Sequence, residues 1–179
     1  MNPDWGAEVV KFWFGLKPEQ WWGGGAELDH RIRQDFFKLW SEKRQLPVGV
    51  FLTDPLTALA AVILFDQFPR NMFRGRADAY STDPLALGVA KEAVTQDLDE
   101  ELAPMERKFL YMPFQHSENL DDQNRGVLLF TELGDDRQLV YARHHHDVIE
   151  RFGRFPHRNS ILGRASRPEE IAAGADKPW

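Results

Sequence analysis

Two stretches of the chain repeat one set of polar side chains behind a Phe-Pro pair: Phe68-Pro69-Arg70-Asn71-Met72-Phe73-Arg74-Gly75-Arg76 and Phe155-Pro156-His157-Arg158-Asn159-Ser160-Ile161-Leu162-Gly163-Arg164. Each sets Arg-Asn shortly after Phe-Pro and closes on Gly-Arg. Arginine presents a planar fork suited to carboxylate or phosphate. Arg70, Asn71, Arg74, Arg154, His157, Arg158 and Asn159 are therefore candidate ligand-binding residues. A plainer reading stands beside it: proline disfavours helix for the residue before it, and Arg and Asn can bond exposed helix carbonyls. Two similar helix terminations would leave the same signature.

Asp66 precedes the first stretch and shares a helix side with part of the apolar stripe Leu59, Val62, Ile63. Its carboxylate is expected to be buried at least in part, and a buried carboxylate needs a partner; Arg70, Arg74, Arg154 and Arg158 are the candidates. Asp66 then either closes a structural ion pair or fixes an arginine for a ligand. Further along, Arg107 and Tyr111 lie four residues apart on one face of a helix opening at Pro104, and Pro113 predicts that this helix ends near His116. A histidine there can transfer protons near neutral pH or simply bond a carbonyl.

His144-His145-His146 resembles a metal site, but neighbouring helical residues point about 100° apart and three of them cannot converge on one ion. Tyr141, His145, Val148, Ile149 and Phe152 form one stripe by helical spacing, which turns His145 inward and His146 away. His116, His145 and Asp66 are the candidate catalytic residues. No HExxH pair, nucleophile elbow, phosphate-binding Gly-Lys-Ser/Thr loop or dinucleotide turn is present, and no metal or cofactor is expected.

Helices must position these groups. Asp4 and Asp54-Pro55 are helix-opening signals; Asp83-Pro84 repeats the Asp-Pro device, and Ala103-Pro104 offers the proline alone. The apolar period from Asp54 to Gln67 marks a central buried helix. Further helical patterns cover about residues 26–41, 84–97, 104–114, 120–133 and 136–152. Gly23-Gly24-Gly25, Gln45 to Leu52 and Gly134-Asp135-Asp136 read as connections. Trp13, Trp21, Trp22 and Trp40 are expected to pack between helices. No comparable alternating strand pattern appears, so the fold class is all-α.

At 179 residues the chain fits one domain spanning 1–179, with about 168–179 as a loosely ordered tail. The net charge of −6 opposes general affinity for nucleic acid or anionic lipid. The longest apolar run, Ala58 to Phe65, falls far short of a membrane span. No secretory signal is read, leaving the cytoplasm as the default location. Zero cysteines exclude a disulfide framework and a thiol nucleophile. Charge is uneven. Residues 97–136 hold eleven acids against three bases, whereas 143–167 hold six arginines against two acids, so an anion site is conceivable in the second region.

Three motifs carry a family resemblance: Leu64-Phe65-Asp66-Gln67-Phe68-Pro69-Arg70-Asn71; Phe109-Leu110-Tyr111-Met112-Pro113-Phe114-Gln115-His116-Ser117-Glu118; and Arg151-Phe152-Gly153-Arg154-Phe155-Pro156-His157-Arg158-Asn159. Together they resemble the bacterial family catalogued as domain of unknown function 924, in order from about Val10 to Glu170. The resemblance implies an antiparallel helical array similar to tetratricopeptide-repeat domains, and implies no activity. It also puts the family's recurring histidine on His145. The segment after Ser41 is shorter than the family pattern and lacks its tryptophan, and Arg167 stands where a threonine is usual.

Two functions follow as expectations. One is a polar pocket for a small acidic ligand, with arginines holding it and His116 or His145 transferring a proton. The other is a protein or peptide interaction module in which the polar motifs lock helix ends together.

Overall fold

The computed structural model describes residues 4–177. Among them no residue is in a strand, and helices joined by short turns pack antiparallel, as the all-α expectation requires. The chain divides into two compact units, residues 4–74 with 78–113 and residues 75–77 with 114–177.

The first unit contains α1 (Trp5–Phe14), α2 (Pro18–Gly23), α3 (Ala26–Lys43), α4 (Pro55–Val62), α5 (Phe68–Met72), α6 (Asp83–Thr95) and most of α7 (Pro104–His116). Asp54 caps α4 by accepting the Thr57 amide at 2.9 Å, as the Asp-Pro signal predicts. Ala58 to Val62 are completely buried, so α4 has no solvent face beyond its first turn, where Leu56 is exposed, and runs into the centre of this unit. Its aromatic surroundings include Phe36 against Phe68 at 4.7 Å and the edge of Trp13 against Phe109 at 5.5 Å.

The central helix differs from the uniform α period in one respect. After Val62 the backbone widens into a π turn over Ile63–Gln67 before α5 resumes, with the Phe68 amide bonding back to Ile63 O. Pro69 gives the reason. It has no N–H to offer the carbonyl four residues earlier, and its ring would press on that carbonyl in a regular α-helix. That group is Phe65 O, which instead accepts the Thr82 hydroxyl at 2.7 Å. Thr82 in turn accepts the Trp40 indole N–H.

Thr82, not Asp83, occupies the cap position of α6; Asp83 is the first helical residue, and its carboxylate pairs with Arg70. The Asp-Pro signal thus marks the opening but misplaces it by one residue, because Arg70 competes for the carboxylate. Trp13 and Trp40 are buried as expected, but Trp22 is exposed, lying parallel to the Phe109 ring with Lys108 above it. Within the Gln45 to Leu52 connection, Val48–Phe51 form a 3₁₀ turn that buries Phe51.

The second unit is built on the hairpin of α8 (Leu120–Leu133) and α9 (Asp136–Phe152), whose bounds match the expected ones. Asn119 and Asp135 cap the two helices. Gly134 ends α8 in the left-handed region, where a side chain would be strained. Val148, Ile149, Phe152 and Phe155 form the unit's apolar cluster. Tyr141, assigned by spacing to the same stripe, is exposed, because the buried face of α9 runs through Gln138 and Ala142 instead. A 3₁₀ turn, Pro156–Arg158, leads to α10 (Pro168–Ala172), within the stretch expected as a tail. Glu170 of α10 is completely buried; residues 178–179 lie outside the described residues.

Candidate functional site

The candidate residues fall into two groups. Asp66, Arg70, Asn71, Arg74, Arg107 and Tyr111 belong to the first unit; His116, His145, Arg154, His157, Arg158 and Asn159 belong to the second.

In the first unit the π turn leaves Asp66 fully buried, with the Gln67 side-chain amide on one carboxylate oxygen and Arg70 Nη1 3.4 Å from the other. Arg70 also donates to the Asp66 carbonyl and makes a bidentate pair with Asp83 at 3.0 Å per bond. Burial alone would lower the Arg70 pKa; the two carboxylates outweigh it and raise it. Of the four arginines that could serve Asp66, Arg70 is the one beside it. Arg74 and Asn71 instead bind Asp29 of α3, at 2.6 and 2.8 Å. Burial would raise the Asp29 pKa, but these hydrogen bonds and the Arg74 charge take it below the ordinary value. Arg107 Nε donates to the Asp99 carbonyl, and the Tyr111 hydroxyl donates to the Asp99 carboxylate. In each case a fork that could grip an external anion already grips an internal oxygen.

The second unit carries a similar network. Glu118 accepts both Nη groups of Arg164, at 2.7 and 2.9 Å, and also the backbone N–H of Phe155 at 2.8 Å. Burial would raise the Glu118 pKa, but Arg164 and the Phe155 amide bring it below the ordinary range. Glu170 accepts Arg154 Nε at 2.7 Å, Asn159 Nδ2 at 3.0 Å and the Arg167 amide at 2.7 Å. Those bonds, Arg154's foremost, hold its pKa at about 2. Two glutamates from outside the arginine-rich segment thus pair with its Arg154 and Arg164. Neither glutamate, nor Asp29, was a sequence candidate. Glu118 closes the second family motif and Glu170 stands at the end of the stretch that carries the resemblance, the signals that could have singled them out.

What remains is a group around the Phe155 ring. The rings of His145 and His157 lie 5.5 and 5.7 Å from it, the Arg158 guanidinium 4.5 Å, and His116 sits 6.2 Å from His145. Arg158 Nη1 donates to His116 O at 3.2 Å. The His145 Nδ1 lies 2.7 Å from Tyr141 O; a carbonyl only accepts, so Nδ1 bears the proton and Nε2 the lone pair of the neutral ring. Burial, with the His116, Arg158 and His144 charges, takes His145 down to about 3. His157 falls to about 4 through burial and the nearby Arg158 and Arg164 charges, against the attraction of Glu118. Both rings are neutral at pH 7. The Arg158 charge also helps to lower the Glu118 pKa, so the guanidinium and the uncharged imidazoles share one neighbourhood with that carboxylate.

The fold and these interlocked motifs define an all-helical protein whose conspicuous Arg, Asp and Glu side chains chiefly bind one another. The chain belongs to the bacterial family of unknown function DUF924, whose pattern matches residues 9–174. It is similar to the solved structure of a protein of unknown function from Agrobacterium tumefaciens, with 38% sequence identity and a TM-score of 0.87 over 96% of this chain and 97% of that one. Comparison with curated proteins finds no significant match. No helix among the described residues is long and apolar enough to cross a membrane.

Proposed function

We propose that the chain binds a small acidic ligand, a carboxylate or phosphate, at the His116–His145–His157–Arg158 group. The observation that supports this reading is the convergence of two imidazoles and a buried guanidinium around Phe155, with a third imidazole, His116, 6.2 Å from His145. Burial chiefly keeps His145 neutral, and an anion on Arg158 would offset the smaller repulsion from that charge, so binding favours proton uptake on an imidazole. The protonated ring could then donate to the ligand as a general acid.

The test is a thermal-shift series with inorganic phosphate and small dicarboxylates at constant ionic strength, on wild type, His145→Asn and Arg158→Lys. A ligand at 100 times its Kd stabilises the folded state by about 2.7 kcal/mol. A stabilisation seen in wild type and reduced in both variants is the expected result. Equal shifts in all three proteins, or none beyond a sodium chloride control, would overturn the proposal.

A second reading, a tetratricopeptide-like module for a protein or peptide, draws on the exposed apolar residues Leu128, Val140 and Tyr141 of α8 and α9. Retention of a partner by Arg158→Lys would favour it.

A further inference from the structure

The split of the histidine run leaves His146 with surroundings of its own. It lies on α9 next to Asp147 and four residues before Glu150, so His146 and Glu150 share a helix face. One ligand atom from each of the three residues can be chosen such that all lie within 4.8 Å of one another. His146 Nε2 is 3.0 Å from Asn124 Oδ1 on α8, and Nδ1 is 3.3 Å from Asp147 Oδ1.

The chemistry of these two contacts is asymmetric. With Nε2–H donating to the Asn124 amide oxygen, Nδ1 is the ring nitrogen turned toward the carboxylates and the one a metal would take. An imidazole nitrogen and two carboxylates within reach of one another are a donor set that a divalent cation can bridge. From these observations we infer that His146 Nδ1, Asp147 and Glu150 form a divalent transition-metal site, with Asn124 orienting the imidazole as an outer partner.

One imidazole nitrogen and two carboxylates suit zinc or its neighbours better than magnesium or calcium, which take oxygen ligands in larger number. In tetrahedral zinc coordination, ligand atoms lie about 3.4 Å apart, from metal–ligand distances of about 2.1 Å. Closing the set therefore takes movements on the order of 1 Å, within reach of the exposed Asp147 and Glu150 side chains. Three protein ligands leave at least one position for water. Arg143 lines a surface hollow of about 360 Å³ together with His146 and Asn124, and its charge opposes the ion. The metal competes with a proton for Nδ1, so its affinity rises with pH.

Zn²⁺ titration of the full chain by calorimetry at pH 7.5, with ¹⁵N shifts of the histidine rings, tests the inference. One saturable site is expected, with the largest shift at His146 Nδ1. His146→Ala and Glu150→Gln should each weaken binding at least about tenfold, and Asn124→Ala by about tenfold. His144→Ala, outside the cluster, should leave affinity unchanged, and circular dichroism checks that each variant is folded. No saturable binding, binding indifferent to both ligand substitutions, or binding abolished by His144→Ala would overturn the assignment.

Discussion

Acidification from pH 7 to pH 5 should destabilise the second unit, and two histidines set the size of the effect. In the unfolded chain both titrate near 6.5, whereas in the folded chain His145 titrates at about 3 and His157 at about 4. The unfolded chain therefore binds more protons throughout this window, so stability falls as pH falls. The contribution is fully present above 6.5 and is lost progressively down to the folded values. At pH 5 an unfolded-state proton with no folded counterpart costs about 2 kcal/mol per histidine relative to pH 7, hence about 4 kcal/mol for the pair. Solvent screening at these half-buried rings brings the expected loss to about 2–4 kcal/mol, a large part of a typical domain's stability. Urea denaturation at pH 7, 6 and 5, followed by far-ultraviolet circular dichroism, measures it. Tryptophan emission would report mainly on the first unit, which holds Trp5, Trp13, Trp21, Trp22 and Trp40. His145→Asn with His157→Gln keeps a polar group at each place and removes the titration, so the double variant should lose much less stability over this range. If wild type and double variant fall in parallel, or if both rings titrate near 6.5 by NMR in the folded chain, the assignment of these imidazoles as neutral and buried is wrong.

Two other outcomes test the networks that hold each unit. Arg70→Ala should cost about 3–5 kcal/mol in chemical denaturation, because it leaves the fully buried Asp66 without its cation; combining it with Asp66→Asn should recover part of that loss, and an equal loss in the double variant would show the pair to be unimportant. Gly126→Val should cost about 1–3 kcal/mol in the same assay, since even a Cβ there would stand 3.1 Å from Phe114 Cβ; an unchanged midpoint would mean that α8 can shift away freely.

Local signals made the fold legible. Asp54-Pro55, Asn119, Gly134-Asp135 and Gly153 mark helix ends by chemistry that acts within a few residues, and the observed bounds follow them. Asp66 was placed by the same logic: a carboxylate on an apolar face had to meet a cation, and Arg70 one turn on supplies it. The arginines' other partners were not legible. Arg74 meets Asp29 across 45 residues of sequence and Arg164 meets Glu118 across 46, and no spacing rule reaches that far. The π turn escaped as well, because Ile63 to Gln67 carry nothing that separates a wide turn from an α one; the constraint lies in Pro69 and is resolved by Thr82. Trp22 was misplaced for a simpler reason: a large ring can cover a neighbouring ring from outside as readily as fill a core.

The π turn also gives the central helix a fixed count. It accommodates one residue more than a regular α turn of the same span, so closing it to α geometry with its length unchanged would rotate everything after it by about 100°. Arg70 would swing off Asp83, and Asn71 and Arg74 off Asp29. Pro69 and Thr82, which hold the turn wide, thus set the direction in which those side chains leave the helix. The contacts that fix Arg70, Asn71 and Arg74 therefore depend on a backbone feature that none of these three residues contains.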